Sequence, residues 1–142
     1  MALQMDAAAL NAFLAAEFPQ LRSDFTVLDA TEQLLVARLR VTEAHLRPGG
    51  TVSGPSMFAL ADVAVYCALL SRIGPVALAV TTNAGIDFMR KPAAGRDLRA
   101  DCRILKLGRS LAVAEAMIFS EGEPEAVARC SMTYAIPPKR AT

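Results

Sequence analysis

The sequence is poor in the residue types that build several common kinds of site. It has one histidine, three cysteines and no tryptophan. The cysteines, Cys67, Cys102 and Cys130, are widely spaced and form no C-x-x-C pair, so neither a disulfide framework nor a zinc site is indicated. A single histidine does not favour a metal site or a Ser-His-Asp triad. We therefore expect no metal and no cofactor, and a cytoplasmic location where thiols stay reduced.

The chain also lacks an excess of charge of either sign. It has 15 Lys and Arg against 14 Asp and Glu, for a net charge of +1. This balance gives no general attraction to nucleic acid. With 54% hydrophobic and 20% charged residues, its 142 residues fit one globular domain over residues 1–142. The opening MALQMDAAAL has no basic residues before its apolar ones and does not resemble a signal peptide.

The spacing of apolar residues changes along the chain. Spacings of three and four after Asp6 predict an N-terminal helix over about residues 6–18. Alternation in DFTVLDA and QLLVARLRV predicts a two-stranded hairpin turning at Thr31 and Glu32. Four further strands are predicted over about residues 77–91, 97–107, 110–119 and 126–136. This order favours an α+β domain with an antiparallel sheet, a core over about residues 20–137 and a loose C-terminal tail, PPKRAT.

GPSMFALADVAVYCALL, residues 54–70, is apolar except for Asp62. Pro55 near its start and Gly74-Pro75 beyond its end predict a helix over about residues 55–73. The 21 residues from Thr51 to Ser71 are about long enough to span a bilayer, but Asp62 would then lie near the midplane at a cost of about 2.5–3.5 kcal/mol. A buried core helix is favoured, with no membrane partner. Because the helix has almost no polar face, a sheet or a second subunit must cover it.

A carboxylate in such a helix needs a partner or a chemical role, because burying it alone is costly. Two explanations remain open on the residues alone. Asp62 is either a catalytic group or a structural one, bonded to hydroxyls such as those of Ser56, Thr81 or Thr82.

Two short motifs carry a resemblance to a known family. GTVSGP at residues 50–55, with LAD at residues 60–62, resembles the G-t-l-H-G-G-x-x-x-x-L-x-D signature of acyl-CoA thioesterases of the phenylacetate-pathway (PaaI-like) type, in the hydroxybenzoyl-CoA thioesterase superfamily. ALAVTTNAGIDFMRKPAAG is similar to that family's central strand and its exit through Phe, a basic residue and Pro. ILKLGRSLAVAEAMIF is similar to its lysine-glycine-basic hairpin.

The resemblance implies a hotdog fold, in which the sheet wraps the long helix. It also implies dimerisation through the sheet, as a homodimer or a dimer of dimers, and hydrolysis of acyl- or aryl-acyl-CoA thioesters. By the residue match, Asp62 is the catalytic carboxylate and Gly54 the glycine whose amide polarises the thioester carbonyl. Thr81 falls near a hydroxyl position that assists the carboxylate.

Three positions depart from the family pattern. Ser53 takes the place of the histidine and becomes a candidate catalytic residue, and Arg47 stands where asparagine is common. Pro55 replaces the second glycine and removes an amide donor. Cationic residues near strand ends and in the loop are candidate ligands for the CoA phosphates, or are solvated surface charges: Arg47, Arg90, Lys91, Lys106 and Arg109.

The start of a helix suits an oxyanion, because its first amides lack intrahelical partners and the helix dipole favours negative charge there. Asp62 lies eight positions after Gly54, or about 12 Å along the helix axis. One chain therefore cannot place both groups on one carbonyl, whereas a two-fold dimer can pair Asp62 of one chain with Gly54 of the other. Whether Asp62 acts as a general base or as a nucleophile stays open.

Other functions are compatible with the sequence. The departures from the signature favour a hotdog module that binds acyl-CoA without turnover. A hydratase or dehydratase needs a histidine paired with the acidic residue, and the sole histidine, His45, precedes the helix and is expected to be a loop residue. A purely structural dimer is the remaining alternative.

Overall fold

The computed structural model describes residues 3–21 and 24–138. In chain order the elements are α1 (Ala7–Glu17), β1 (Phe25–Ala30), β2 (Leu35–Leu39), a short 3₁₀ turn (Glu43–His45), α2 (Gly54–Ile73), β3 (Val80–Phe88), β4 (Leu98–Leu107), β5 (Leu111–Ser120) and β6 (Ala126–Ala135). The predicted order of helices and strands is confirmed. The strand predicted over residues 77–91 is shorter at both ends, since β3 runs only from Val80 to Phe88. Most of the predicted tail lies outside the described residues.

The six strands form one antiparallel sheet in the order β1-β2-β4-β5-β6-β3. Along β4 and β6 most of the predicted apolar residues are buried, and the residues between them are less buried, so one face of the sheet is the core. That face contacts α2 through all six strands. The predicted α+β hotdog arrangement, a sheet wrapped around an apolar helix, is therefore the observed one.

The long helix α2 is a core helix, as predicted. Ser53 caps its start, and Gly74 ends it with a φ of 95°, a conformation that glycine adopts without strain. Within residues 3–21 and 24–138 it is the one helix whose length and apolar composition would suit a membrane, but 61% of its most apolar window is buried within the domain. Leu60 and Leu70 are completely buried against the sheet.

The helix α1 lies on the outside of this core, against β1 and α2. Asp6 caps it by accepting a hydrogen bond from the amide of Ala9 at 2.9 Å. The side chain of Asn11 donates to the carbonyl of Val27 at 2.9 Å and accepts from its amide at 2.8 Å. With Leu14 buried beneath it, α1 is attached to the sheet by both polar and apolar contacts.

The strand β3 lies at an edge of the sheet, not in its middle. Only β6 pairs with it, and its terminal residues Val80 and Phe88 are 55% and 52% exposed. Within one chain the segment that resembles the family's central strand is therefore an edge strand. An edge of nine residues with apolar ends is a surface on which another strand can pair.

Candidate active site

The carboxylate of Asp62 is held on one of its two oxygens. The Thr81 hydroxyl donates to Oδ1 at 2.7 Å, and the Tyr134 hydroxyl donates to the same atom at 2.6 Å. Thr81 and Tyr134 are opposite each other in the β3–β6 ladder, so the sheet brings both hydroxyls to one point. Among the described residues no donor contacts Oδ2. The carboxylate is thus oriented by two hydrogen bonds and keeps one oxygen available for chemistry.

Tyr134 is the site residue that sequence reasoning missed. The alternation of β6 correctly predicts that it faces the core, but its partner lies 72 positions away. Burial, reinforced by the hydrogen bond to Asp62, raises the pKa of Tyr134 well above its ordinary value. The phenol therefore remains a protonated donor at neutral pH.

Of the hydroxyls proposed as structural partners of Asp62, only Thr81 has that role. Ser56 donates to the carbonyl of His45 at 3.4 Å, and Thr82 donates to the carbonyl of Thr133 at 3.2 Å. Asp62 is half-buried rather than fully enclosed, since it faces a cavity.

The cavity beside Asp62 has a volume of about 520 Å³ and is mainly apolar. Its walls come from α1 and the turn after it, from the middle of α2, from the segment leading into β3, and from Tyr134 of β6. They comprise Leu14, Glu17, Phe18, Leu21, Asp62, Val63, Tyr66, Ala77, Leu78, Ala79, Val80, Thr81 and Tyr134. Below, this space is called the Asp62 cavity.

Ser53 acts as the N-cap of α2. Its hydroxyl accepts from the Ser56 amide at 3.3 Å and donates to the Ser56 hydroxyl at 2.9 Å, and its own amide donates to the carbonyl of His45 at 2.8 Å. It does not contact Asp62. The catalytic role predicted for Ser53 thus has no support from its contacts within one chain, whereas a capping role does.

Gly54 is the first residue of α2, and its amide has no acceptor in the part of the chain described. The amides that follow are not free. Pro55 has no amide hydrogen, the Ser56 amide donates to the Ser53 hydroxyl, and the Met57 amide donates to the Ser53 carbonyl at 3.1 Å. A Cβ added at Gly54 would lie 3.2 Å from the ring of Phe88. The glycine therefore lets the end of β3 approach the free donor closely.

A second cavity, of about 680 Å³, opens at this end of α2 and is called the Gly54 cavity below. Three of the predicted phosphate ligands, Arg47, Arg90 and Lys91, line it together with Gly54 and Phe88. Arg90 also pairs with Glu125 at 3.1 Å.

The other two predicted ligands, Lys106 and Arg109, lie at the β4–β5 turn, away from that cavity. The turn is at the end of the sheet where β3 begins, since Leu111 pairs with Ala135 and Ala135 pairs with Val80. The five cations thus form two groups at opposite ends of β3.

His45, predicted to be a loop residue, ends the short 3₁₀ turn between β2 and α2 and is buried, with structural contacts. Its Nδ1 accepts the Thr42 amide at 2.8 Å, and its Nε2 lies 3.5 Å from Asp24. Its carbonyl accepts the Ser53 amide, so it braces the loop leading into α2. The histidine is therefore not paired with Asp62 as a hydratase would require.

The cysteines are buried and take no part in the site. Burial raises the pKa of Cys67 to about 12, which keeps the thiol neutral and a poor nucleophile. Within residues 3–21 and 24–138, no group of three or more His, Cys, Asp or Glu side chains could hold a metal ion.

The chain is similar to known thioesterases and esterases. The thioesterase superfamily matches residues 49–127, more than half of the chain. An esterase proposed in Pseudomonas aeruginosa, PA0474, is 38% identical over 110 residues, which are 77% of this chain and 79% of that protein.

Solved structures of similar proteins share the fold. The crystal structure of a proposed thioesterase from Silicibacter sp. TM1040 is 56% identical with a TM-score of 0.91, covering 97% of this chain and 96% of its own. A variant of the phenylacetic acid degradation protein PaaI from Thermus thermophilus is 28% identical with a TM-score of 0.72, covering 84% of this chain and 99% of its own. The matches support a thioesterase-type function.

Proposed function

This chain belongs to the thioesterase superfamily, and on that premise we propose that it hydrolyses acyl-CoA or aryl-acyl-CoA thioesters to the free acid and CoA. The observation that carries the proposal is the Asp62 carboxylate, which is held on Oδ1 by Thr81 and Tyr134 and has Oδ2 free beside an apolar cavity. A carboxylate fixed in this way can act on water or on a carbonyl carbon. No cofactor is needed for this reaction, and we place the enzyme in the cytoplasm.

The active site in this proposal is shared between two chains. Asp62 lies beside Thr81 at the start of β3, and Gly54 lies against Phe88 at its end. At about 3.3 Å per residue, the two ends of β3 are about 26 Å apart in one chain. Antiparallel pairing of two β3 edges puts the start of each strand beside the end of the other. A two-fold dimer thus brings Asp62 of one chain towards Gly54 of the second, and forms two equivalent sites.

The cation positions agree with this dimer. Arg47, Arg90 and Lys91 lie at the end of β3, and Lys106 and Arg109 lie near its start. In the proposed dimer, the first group from one chain and the second group from the other chain lie at the same end of the joint sheet. A polyphosphate ligand such as CoA binds such clusters of lysine and arginine through charge-assisted hydrogen bonds.

Hydrolysis adds water across the carbon–sulfur bond of the thioester. As a general base, Asp62 accepts a proton from water while the water oxygen bonds to the carbonyl carbon, and the resulting oxyanion is stabilised by the Gly54 amide. Collapse of the oxyanion breaks the carbon–sulfur bond, and the proton passes to the CoA thiolate. As a nucleophile, Oδ2 bonds to the carbon, expels CoA thiolate and forms a mixed anhydride that water then opens. Both routes use Oδ2 and give the same products.

The test is release of free CoA thiol from short, medium and long straight-chain and aromatic acyl-CoAs. We expect turnover by the unmodified protein and a loss of at least about a hundredfold in kcat for Asp62→Asn, since positioned acid–base groups contribute about 10²–10⁴-fold. Asp29→Asn is the matched control, because Asp29 is an exposed carboxylate on the opposite edge strand, β1.

Absence of thiol release across the whole panel, with Asp62→Asn identical to the unmodified protein, would refute hydrolysis. Saturable acyl-CoA binding without turnover would instead identify a binding module. The hydratase alternative has no support from the contacts of His45.

A further inference from the structure

We propose that α1 forms the end wall of the acyl-binding space and that Phe18 determines the length of acyl group accepted. The inference rests on the proposed function, because it assigns the acyl group to the Asp62 cavity and CoA to the Gly54 cavity. It identifies a specificity-determining residue outside the region that the family match covers, which begins at residue 49.

The two cavities differ in chemistry. The Gly54 cavity carries three cations, Arg47, Arg90 and Lys91, which suit phosphates. Among residues 3–21 and 24–138, no cation lines the Asp62 cavity, and most of its lining consists of aliphatic and aromatic side chains. Its volume of about 520 Å³ is in the range of about 300–1,000 Å³ that is usual for small-molecule sites. An acyl group attached to a carbonyl at Asp62 therefore extends into the apolar space.

A row of aromatic rings leads from Asp62 to α1. The Tyr134 ring lies 6.1 Å from the Tyr66 ring, and the Tyr66 ring lies 5.5 Å from Phe18 in an edge-on arrangement of 88°. Phe18, the residue that ends α1, is thus the far member of the row that begins at the carboxylate. Its ring is the part of the wall that a longer acyl chain reaches last.

The hydroxyls of Tyr66, Thr81 and Tyr134 along this wall already make hydrogen bonds. The Tyr66 hydroxyl donates to the carbonyl of Ala77 at 3.1 Å, and burial raises the pKa of Tyr66 to about 12, so that it stays neutral. In the part of the chain that the structure describes, the charged side chains in the lining are two carboxylates, those of Asp62 and Glu17. Acyl groups that end in a second carboxylate would be repelled. The class of substrate is therefore an uncharged alkyl or aryl acyl group.

The helix α1, which forms this wall, is firmly attached to the rest of the domain. Asn11 makes two hydrogen bonds to the backbone of Val27, and Leu10 and Leu14 are 1% and 2% exposed. A wall fixed in this way discriminates by size, because a longer chain cannot displace the helix without breaking these contacts.

The experiment compares Phe18→Ala and Phe18→Trp with the unmodified protein. Hydrolysis of straight-chain acyl-CoAs from butanoyl to hexadecanoyl gives kcat/KM, and the matching S-alkyl-CoA thioethers, which cannot be hydrolysed, give Kd. We expect Phe18→Ala to move the optimum to longer chains. For each further methylene that becomes buried, kcat/KM should rise and Kd should fall by about fourfold. Phe18→Trp should move the optimum to shorter chains.

Phe13→Ala is the matched control. Phe13 is also on α1 and its ring is 6.4 Å from that of Tyr66, but it does not line the cavity. Its replacement should leave both chain-length profiles unchanged. The inference is wrong if Phe18→Ala leaves the profiles unchanged, or if Phe13→Ala shifts them equally.

The thioether Kd values separate the two proposals. If the unmodified protein releases no thiol but its Kd profile still shifts in Phe18→Ala, hydrolysis is refuted and the assignment of the wall stands. If hydrolysis occurs and neither profile shifts, the proposed function stands and the wall is refuted.

Discussion

At the scale of single residues, the two oxygens of Asp62 have different environments. Thr81 and Tyr134 both donate to Oδ1, and among residues 3–21 and 24–138 nothing donates to Oδ2. Because hydrogen bonds to a carboxylate are strong and directional, two of them on one oxygen fix the plane of the group. The two hydroxyls therefore fix the orientation of a carboxylate that lines the Asp62 cavity. They act as positioning residues for the proposed reaction.

We expect Tyr134→Phe and Thr81→Val each to lower kcat by about tenfold to a hundredfold with little change in KM, since a hydrogen bond to a charged group contributes about 1.5–3 kcal/mol. Thr82→Val is the control, because the Thr82 hydroxyl donates to the Thr133 carbonyl instead. Steady-state kinetics with one acyl-CoA is the measurement.

The effect of Tyr134→Phe should also depend little on pH. Burial raises the pKa of Tyr134, so its proton is retained as pH rises through the ordinary tyrosine value of about 10. The ratio of unmodified to Tyr134→Phe activity should be constant from neutral pH to about pH 10.5, where a tyrosine of ordinary pKa would be mostly ionised. A ratio that falls as pH rises through this window would mean that the phenol ionises there and is not the donor.

At the scale of elements, the start of α2 combines a cap with a free donor. Ser53 satisfies the Ser56 amide, Pro55 has no amide, and Gly54 is left without an acceptor in the described part of the chain. Ser53, at the position where the resembled signature has histidine, is therefore a strong helix cap next to the proposed oxyanion donor. Loss of this cap should loosen the position of Gly54 as well as destabilise the fold.

Ser53→Ala and Asp6→Ala remove the caps of α2 and α1 respectively. Each should lower the free energy of unfolding by about 1 kcal/mol, measured by urea denaturation. Only Ser53→Ala should also lower kcat, because only its helix presents Gly54. Equal kcat values for the two variants would show that the cap does not position the donor, and a rate loss without any loss of stability would restore a catalytic role for Ser53.

At the scale of the whole molecule, one chain separates the two halves of the proposed site. Asp62 faces one cavity and Gly54 faces the other, at opposite ends of the exposed edge strand β3. The helix α2 holds them about 12 Å apart along its axis and cannot bring them together. Pairing of β3 with a second copy is the arrangement that joins them, so oligomerisation and activity should be lost together.

Mixed dimers test this arrangement. Asp62→Asn and Gly54→Pro should each be nearly inactive alone. Gly54→Pro removes the amide donor at the first helical position, where the proline φ is allowed, and its ring also displaces the Phe88 ring by a few tenths of an ångström. In an equal mixture after subunit exchange, half of the dimers are mixed and hold one intact site, so about a quarter of the unmodified activity should return. No recovery, with dimers of mixed composition verified by mass spectrometry, would mean that each site belongs to one chain.

The sequence by itself determined the local features of this protein. The order of elements, the buried face of β6 and the boundaries of α2 follow from periodicity, prolines and glycines, which act within a few residues. The same local reading singled out Asp62 as a charge in an apolar helix, and the motif resemblance added Gly54 and the hotdog fold. These predictions needed no knowledge of how distant segments meet.

Only the tertiary structure decided what surrounds those residues. The register of β3 and β6 places Tyr134 opposite Thr81 and thus on Asp62, a contact between segments far apart in the chain. Packing of α1 against α2 puts Phe18 in the wall of the Asp62 cavity. Such contacts depend on strand register and on side-chain packing across the core, and no local pattern of residues encodes either of them.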